Sequence, residues 1–159
     1  MQPTAQGVLV ALQCFVLLFE ALHNWIPLGT LNDVKGAHAA FPGKKLLLTT
    51  LSNVIPFSVG LIGCIFYFGR MYPDWLFYYL WISYALAVIF SMRAWWIPYF
   101  VPNPELAARY KVMYATMHSI LPERNGIKIN TLHVIFDAAV LAILITLAVV
   151  TMQQSWRPF

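Results

Sequence analysis

The stretch Asn130–Met152, NTLHVIFDAAVLAILITLAVVTM, constrains this chain more than any other. It is long and apolar enough to cross a bilayer, which takes about 20 consecutive apolar residues as a helix. Yet His133 and Asp137 sit inside it. Ionisable groups in a spanning helix are costly and face protein, water or a partner rather than lipid. Three further apolar stretches, Val8–Ile26, Leu46–Gly69 and Trp75–Met92, complete a set of four.

Charged residues make up only 10% of the 159 residues, and hydrophobic ones 60%. Soluble domains carry about 25% charged residues. So little charge cannot cover a globule in water, so much of the surface must face lipid. The expectation is one all-α membrane domain over residues 1–159, a four-transmembrane-helix antiparallel bundle. The net charge of +4 fits basic loops at an anionic leaflet and gives no case for nucleic acid. Met1–Gly7 has no Lys or Arg and does not read as the start of a signal peptide. No glycosylation sequon, P-loop, GxGxxG, Cys-x-x-Cys or internal repeat is present.

In the first span, Gln13, Glu20 and Asn24 share a helical face, with His23 one turn beyond Glu20. The loop Pro27–Lys45 holds Asp33, Lys35, His38, Lys44 and Lys45 and has room for a short re-entrant or interfacial segment. In the second span, Pro56, Gly60 and Cys64 recur every four residues, a spacing that lets helices approach closely. The third span is rich in Trp and Tyr, which gather at membrane interfaces, and Arg93, Trp95 and Trp96 mark its end. Asn103 and Pro104 read as the cap and first residue of an amphipathic interfacial helix over 104–121. Within it Leu106, Tyr110, Met113, Met117 and Leu121 share one face, and His118 lies toward headgroups or the mouth of a site. Leu121–Gly126 reads as a turn before the last span. Cys14 and Cys64 read as free buried thiols.

The loops 27–45 and 93–129 carry Lys35, Lys44, Lys45, Arg93, Arg109, Lys111, Arg124 and Lys128, against Arg70 and Arg157 on the other side. That bias predicts those loops in the cytoplasm and both termini outside. Glu20 and Asp137 then lie at matched depth, each about 7–9 Å inside its helix end. Glu20, His23, Arg93, His133 and Asp137, with Ser52, Asn53 and Ser91, are expected to line one cytoplasmic-side polar pocket.

Four chemistries suit such a pocket. Glu20–Arg93 and His133–Asp137 would be hydrogen-bonded pairs that fix helix packing in a structural or accessory subunit. Glu20-x-x-His23 and His133-x-x-x-Asp137 would offer carboxylate and imidazole ligands to a divalent transition metal such as Zn, Fe or Mn. A buried carboxyl group beside a His would do acid-base catalysis on a lipid-soluble substrate, against an aromatic wall of Trp25, Trp95 and Trp96. Intramembrane acids would also serve proton-coupled transport, with a homo-oligomer supplying the exit path. The common reading is a pocket that binds or processes a small amphiphilic, lipid-like molecule.

Arg93-Ala-Trp-Trp-Ile-Pro-Tyr99, Leu121-Pro-Glu-Arg-Asn-Gly-Ile127 and Asn130-Thr-Leu-His-Val134 resemble a pattern in small, uncharacterised bacterial four-helix membrane proteins. The resemblance covers the second half best. It implies a bacterial inner membrane and carries no activity, cofactor or site residue.

Overall fold

The computed structural model describes residues 3–41, 43–114 and 116–155. Pro42, Arg157 and the rest of the tail beyond Ser155 lie outside the described residues, as do Met1 and Gln2. Helices run α1 (Pro3–Leu22), α2 (Val34–Ala40), α3 (Gly43–Phe66), α4 (Asp74–Ser91), a π-helical turn (Met92–Trp96), α5 (Ile97–Phe100), α6 (Pro104–Met113) and α7 (Thr131–Ser155). Four helical stretches are long and apolar enough to cross a membrane: Thr4–Leu22, Gly43–Phe66, Asp74–Phe100 and Thr131–Gln154. Their outward faces carry Ile55, Ile62, Ile82, Ile89, Leu141 and Ile145, all exposed. Hydrocarbon, not water, is the solvent such faces suit.

The inward faces follow a seven-residue rhythm. On α1 the buried positions are Gln6, Leu9, Gln13, Val16 and Glu20, alternating three- and four-residue steps that keep one seam facing a partner helix. On α7 the same rhythm buries Phe136, Val140, Ile143, Leu147 and Val150. α1 packs against α7 and α3, and α4 packs against the same two helices. Each of the four long helices thus contacts two others, and their buried residues share one apolar core, including Leu9, Val16, Leu76, Leu80, Ile143 and Leu147.

α3 and α4 come close together at the end near their connecting turn. A Cβ on Gly63 would stand 2.7 Å from Leu76 Cδ1, and one on Gly60 3.0 Å from Leu80 Cδ2. The missing side chains are what let the two leucines seat on α3, one turn apart. Above them Phe57 stacks on Tyr84 at 5.3 Å, and the Tyr79 hydroxyl donates to Pro56 O. Gln6 closes this end: its amide donates to Arg70 O and accepts from Gly69 N. Cys14 and Cys64 are both free.

The third spanning helix does not stop at Met92, where the sequence suggested an end. It continues through the π-helical turn to Phe100. The physical reason is Pro98, which has no N–H to give Ala94 O and crowds that carbonyl. Ile97 N–H reaches back five residues to Met92 O, and the Tyr110 hydroxyl donates to Ala94 O at 2.8 Å instead. A local widening thus carries the proline without ending the helix.

The expected helix over 104–121 is shorter, ending at Met113. Beyond it the chain is held by contacts that a helix could not make. His118 N donates to Thr30 O, Thr131 N to His118 O, and the Thr116 hydroxyl to Asp33 Oδ2. Asn103 does cap its N-terminus, accepting from Leu106 N. The loop after α1 holds one short helix, α2, capped by Asp33 through Gly36 N. Buried Asn32 ties that loop down: its amide donates to His23 O and Ile26 O and accepts from Leu28 N.

Asn125 and Gly126, with φ of 53° and 73°, form the turn between Arg124 and Ile127, whose backbones exchange both hydrogen bonds. This is the geometry Asn-Gly favours. A Cβ on Gly126 would also come within 2.9 Å of Ala107 Cβ. Gly126→Val is expected to destabilise the protein by about 2 kcal/mol, because a branched side chain resists positive φ. A thermal melt in detergent within 1–2 °C of the parent, roughly the noise of the method, would refute that account.

Candidate functional site

Beyond the level of the Phe57–Tyr84 stack, α3 and α4 diverge and leave a cleft of about 420 Å³. Its sides are Thr49, Ser52, Asn53 and Pro56 from α3, and Ser83, Leu86, Ala87, Phe90 and Ser91 from α4. Ser52, Asn53, Leu86 and Phe90 are exposed, so the mouth lies between these two helices. Glu20, His23 and Asn24 at the end of α1, with His133 and Phe136 of α7, form the inner wall. Ala37 and Phe41 at α2 and Tyr110, Met113 and Tyr114 at α6 close the loop end. All four long helices contribute.

Glu20 is 8% exposed, and Asn53 Nδ2 donates to its Oε2 at 2.9 Å. His23 Nδ1 lies 2.8 Å from Phe19 O. A carbonyl only accepts, so Nδ1 carries the proton and the neutral ring keeps its lone pair at Nε2. His133 is fixed the same way. Asn130 caps α7, and its Oδ1 accepts from His133 N at 2.7 Å and from His133 Nδ1 at 2.8 Å. The backbone N–H identifies that atom as the amide oxygen, which again leaves Nε2 as the acceptor. Neither Nε2 has a hydrogen-bond partner among the described residues. The two imidazoles meet edge to face at 5.8 Å, and both line the cleft.

Trp95 packs over His133 at 4.3 Å and is itself held by Tyr110 and Tyr114 at 4.8 and 5.0 Å. Burial pushes the Tyr110 phenol up to about 12, slightly offset by Arg109. Burial raises Tyr114 as well, with Tyr110 adding to it. Both hydroxyls therefore remain protonated at neutral pH, and that of Tyr110 is committed to Ala94 O.

Asp137 is not part of this wall. Its two oxygens accept from Ser91 Oγ at 2.6 Å and from Trp96 Nε1 at 2.7 Å. It joins α7 to α4 and to the π-helical turn. In that turn, adjacent Trp95 and Trp96 serve different partners, one the cleft and the other Asp137. π-helical insertions recur at functional sites for this kind of re-aiming. Arg93 is exposed and does not line the cleft. The expected Glu20–Arg93 and His133–Asp137 pairs are thus replaced by Glu20–Asn53 and Asp137–Ser91–Trp96. His133 meets Asn130 because the first turn of α7 needs a cap.

No group of three or more His, Cys, Asp or Glu that could hold a metal ion occurs among the described residues. The expected metal set of Glu20, His23, His133 and Asp137 is not assembled: Asp137 is drawn off by Ser91 and Trp96, and Glu20, His23 and His133 do not form such a group by themselves. Trp25 donates to Thr50 Oγ1 and meets His38 edge-on, and it does not line the cleft. His118 clamps the start of α7 through Thr131 and also stays outside.

Sequence spacing singled out Glu20, His23, Asn53, Ser91 and His133, and these five line the cleft. It missed the role of Asn130 and the Tyr110–Tyr114–Trp95 packing. Asn130 directly before Thr-Leu-His was a readable N-cap signal. The aromatic cluster joins distant segments and left no local sign. No protein family, curated protein or solved structure matches this chain.

Proposed function

We propose that this chain is a multi-pass membrane protein, an antiparallel four-helix bundle, that takes a small amphiphilic molecule from the bilayer into the cleft between α3 and α4. The observation that carries the reading is the form of that cleft. Its mouth opens sideways between two helices whose outer faces suit hydrocarbon, and its inner wall is polar. A molecule lying among lipids would enter tail-last through such a mouth without crossing water. The volume falls within the range of ligand sites, about 300–1,000 Å³.

The Lys and Arg bias supports a cytoplasmic position for the cleft end and an outside position for both termini. α6 then lies along the cytoplasmic interface with Arg109 exposed. A bacterial inner membrane rests on the sequence resemblance alone. Asp137, satisfied by two donors, serves the scaffold, while Glu20 and the two histidines serve the ligand.

The test is a search for bound amphiphile in protein purified in mild detergent. About one molecule per chain is expected by mass spectrometry of an extract. Ser83→Trp, which fills the cleft from α4, should remove it while leaving the melt nearly unchanged. An amphiphile retained equally by Ser83→Trp, or none bound even when lipid-like molecules are added, would refute the reading.

A further inference from the structure

The inventory of the cleft names the head group it would take. Its lining contains one carboxyl group, Glu20, and no Lys or Arg. Most donors that line it are already spent on protein acceptors. Ser52 Oγ donates to Thr49 O, Thr49 Oγ1 to Lys45 O, Ser91 Oγ to Asp137, Tyr110 OH to Ala94 O, and an Asn53 N–H to Glu20. Asn24, Ser83, the Tyr114 hydroxyl and the Trp95 indole N–H remain as neutral donors. Among the lining residues, acceptors not spent within the protein are the Glu20 carboxyl and Nε2 of His23 and His133. Trp95, Tyr110 and Tyr114 line the same space and pack on one another.

Such a lining holds one carboxyl group and no Lys or Arg to balance it. A buried carboxylate with one amide donor and no cation lacks the partner that would offset its desolvation. An anionic head, whether carboxylate or phosphate, would meet Glu20 with nothing to balance either charge. An ammonium supplies the missing charge and brings N–H donors to acceptors on this wall, beside aromatic rings that favour a cation.

We propose that the cleft selects amphiphiles with a primary ammonium head, seated among Glu20, His23 and His133, with the hydrocarbon tail leaving between Ser52 and Phe90 into the lipid. This assignment rests on the amphiphile reading above and adds the chemistry of the head.

The test uses the full chain in maltoside micelles and three probes with the same tail: tetradecylamine, tetradecanol and tetradecanoate, scored by native mass spectrometry. The amine should bind at least about tenfold tighter than the alcohol, and tetradecanoate the most weakly, one charge contact being worth about that factor. Glu20→Gln should reduce amine binding by about tenfold and leave the alcohol within about twofold. Asn24→Lys places a cation four residues after Glu20, where it can pair with that carboxylate, and should remove the preference for the amine over the alcohol. Equal binding of amine and alcohol, or a preference unmoved by both variants, overturns the head-group assignment and leaves the cleft reading standing. Failure of all three probes to bind overturns the cleft reading as well.

Discussion

Trp95→Ala is expected to destabilise the protein by about 3–5 kcal/mol, the range for deleting a large buried aromatic. Trp95 is 5% exposed and anchors a small second core with Tyr99, Ile127 and Ile129. It also forms the packing surface between His133 on α7 and the Tyr110–Tyr114 segment. Removing it leaves a void where three chain segments meet. The melting temperature in detergent should fall on the order of 10 °C. Trp95→Phe keeps a ring in the same place and should recover more than half of the loss. Any amphiphile bound in the cleft should be lost with Trp95→Ala, because the wall behind His133 goes with it. A melt indistinguishable from the parent would mean that the loops do not pack on the helix end as described.

Asp137→Ala is expected to cost about 2–3 kcal/mol. It leaves the Ser91 hydroxyl and the Trp96 indole N–H without their acceptor, and an orphaned donor costs about 1–3 kcal/mol. Hydrogen bonds between membrane helices measure toward the low end, because the separated helices find other partners. Asp137→Asn retains one oxygen and should lose roughly half as much. A double-mutant cycle with Ser91→Ala separates the two donors, and a coupling energy near zero would sink the assignment. Glu20→Gln makes the useful contrast. Its single bond from Asn53 survives, since the amide oxygen still accepts, so stability should barely change while ligand preference does. The two acids that look alike in the sequence are thus expected to give opposite phenotypes, one in stability and the other in binding.

Why they look alike is a matter of depth and spacing. In the sequence Glu20 and Asp137 each lie toward one end of an apolar stretch with a histidine close by at helical spacing, although the structure ends α1 at Leu22, which puts Glu20 in its last turn and Asp137 in the second turn of α7. Nothing local distinguishes them. What divides them is which neighbour arrives. Asn53 comes to Glu20 because α1 packs on α3, and Ser91 and Trp96 come to Asp137 because α7 packs on α4. Arg93 was the natural countercharge by sequence position, but the π-helical turn leaves it exposed and directs Trp95 and Trp96 to the interior contacts.

By itself the amino-acid sequence determined what is set by solvent and by period. Four stretches too apolar for water must be helices, since only a helix satisfies its own backbone in hydrocarbon. Polar residues on one face of such a helix must turn inward, as Gln13 and Glu20 do. The Asn-Gly turn and the Asn103 cap were equally legible, because each depends on the conformational preferences of a few adjacent residues. Only the tertiary structure decided which polar residues meet. Pairing depends on the rotation of each helix about its axis and on where two helices part, and both are fixed by contacts spread over the whole chain. Gly60 and Gly63 draw α3 onto α4 at one end, and among the described residues no hydrogen bond or ring contact joins the two at the other. The cleft lies in the space between, and no single segment encodes it.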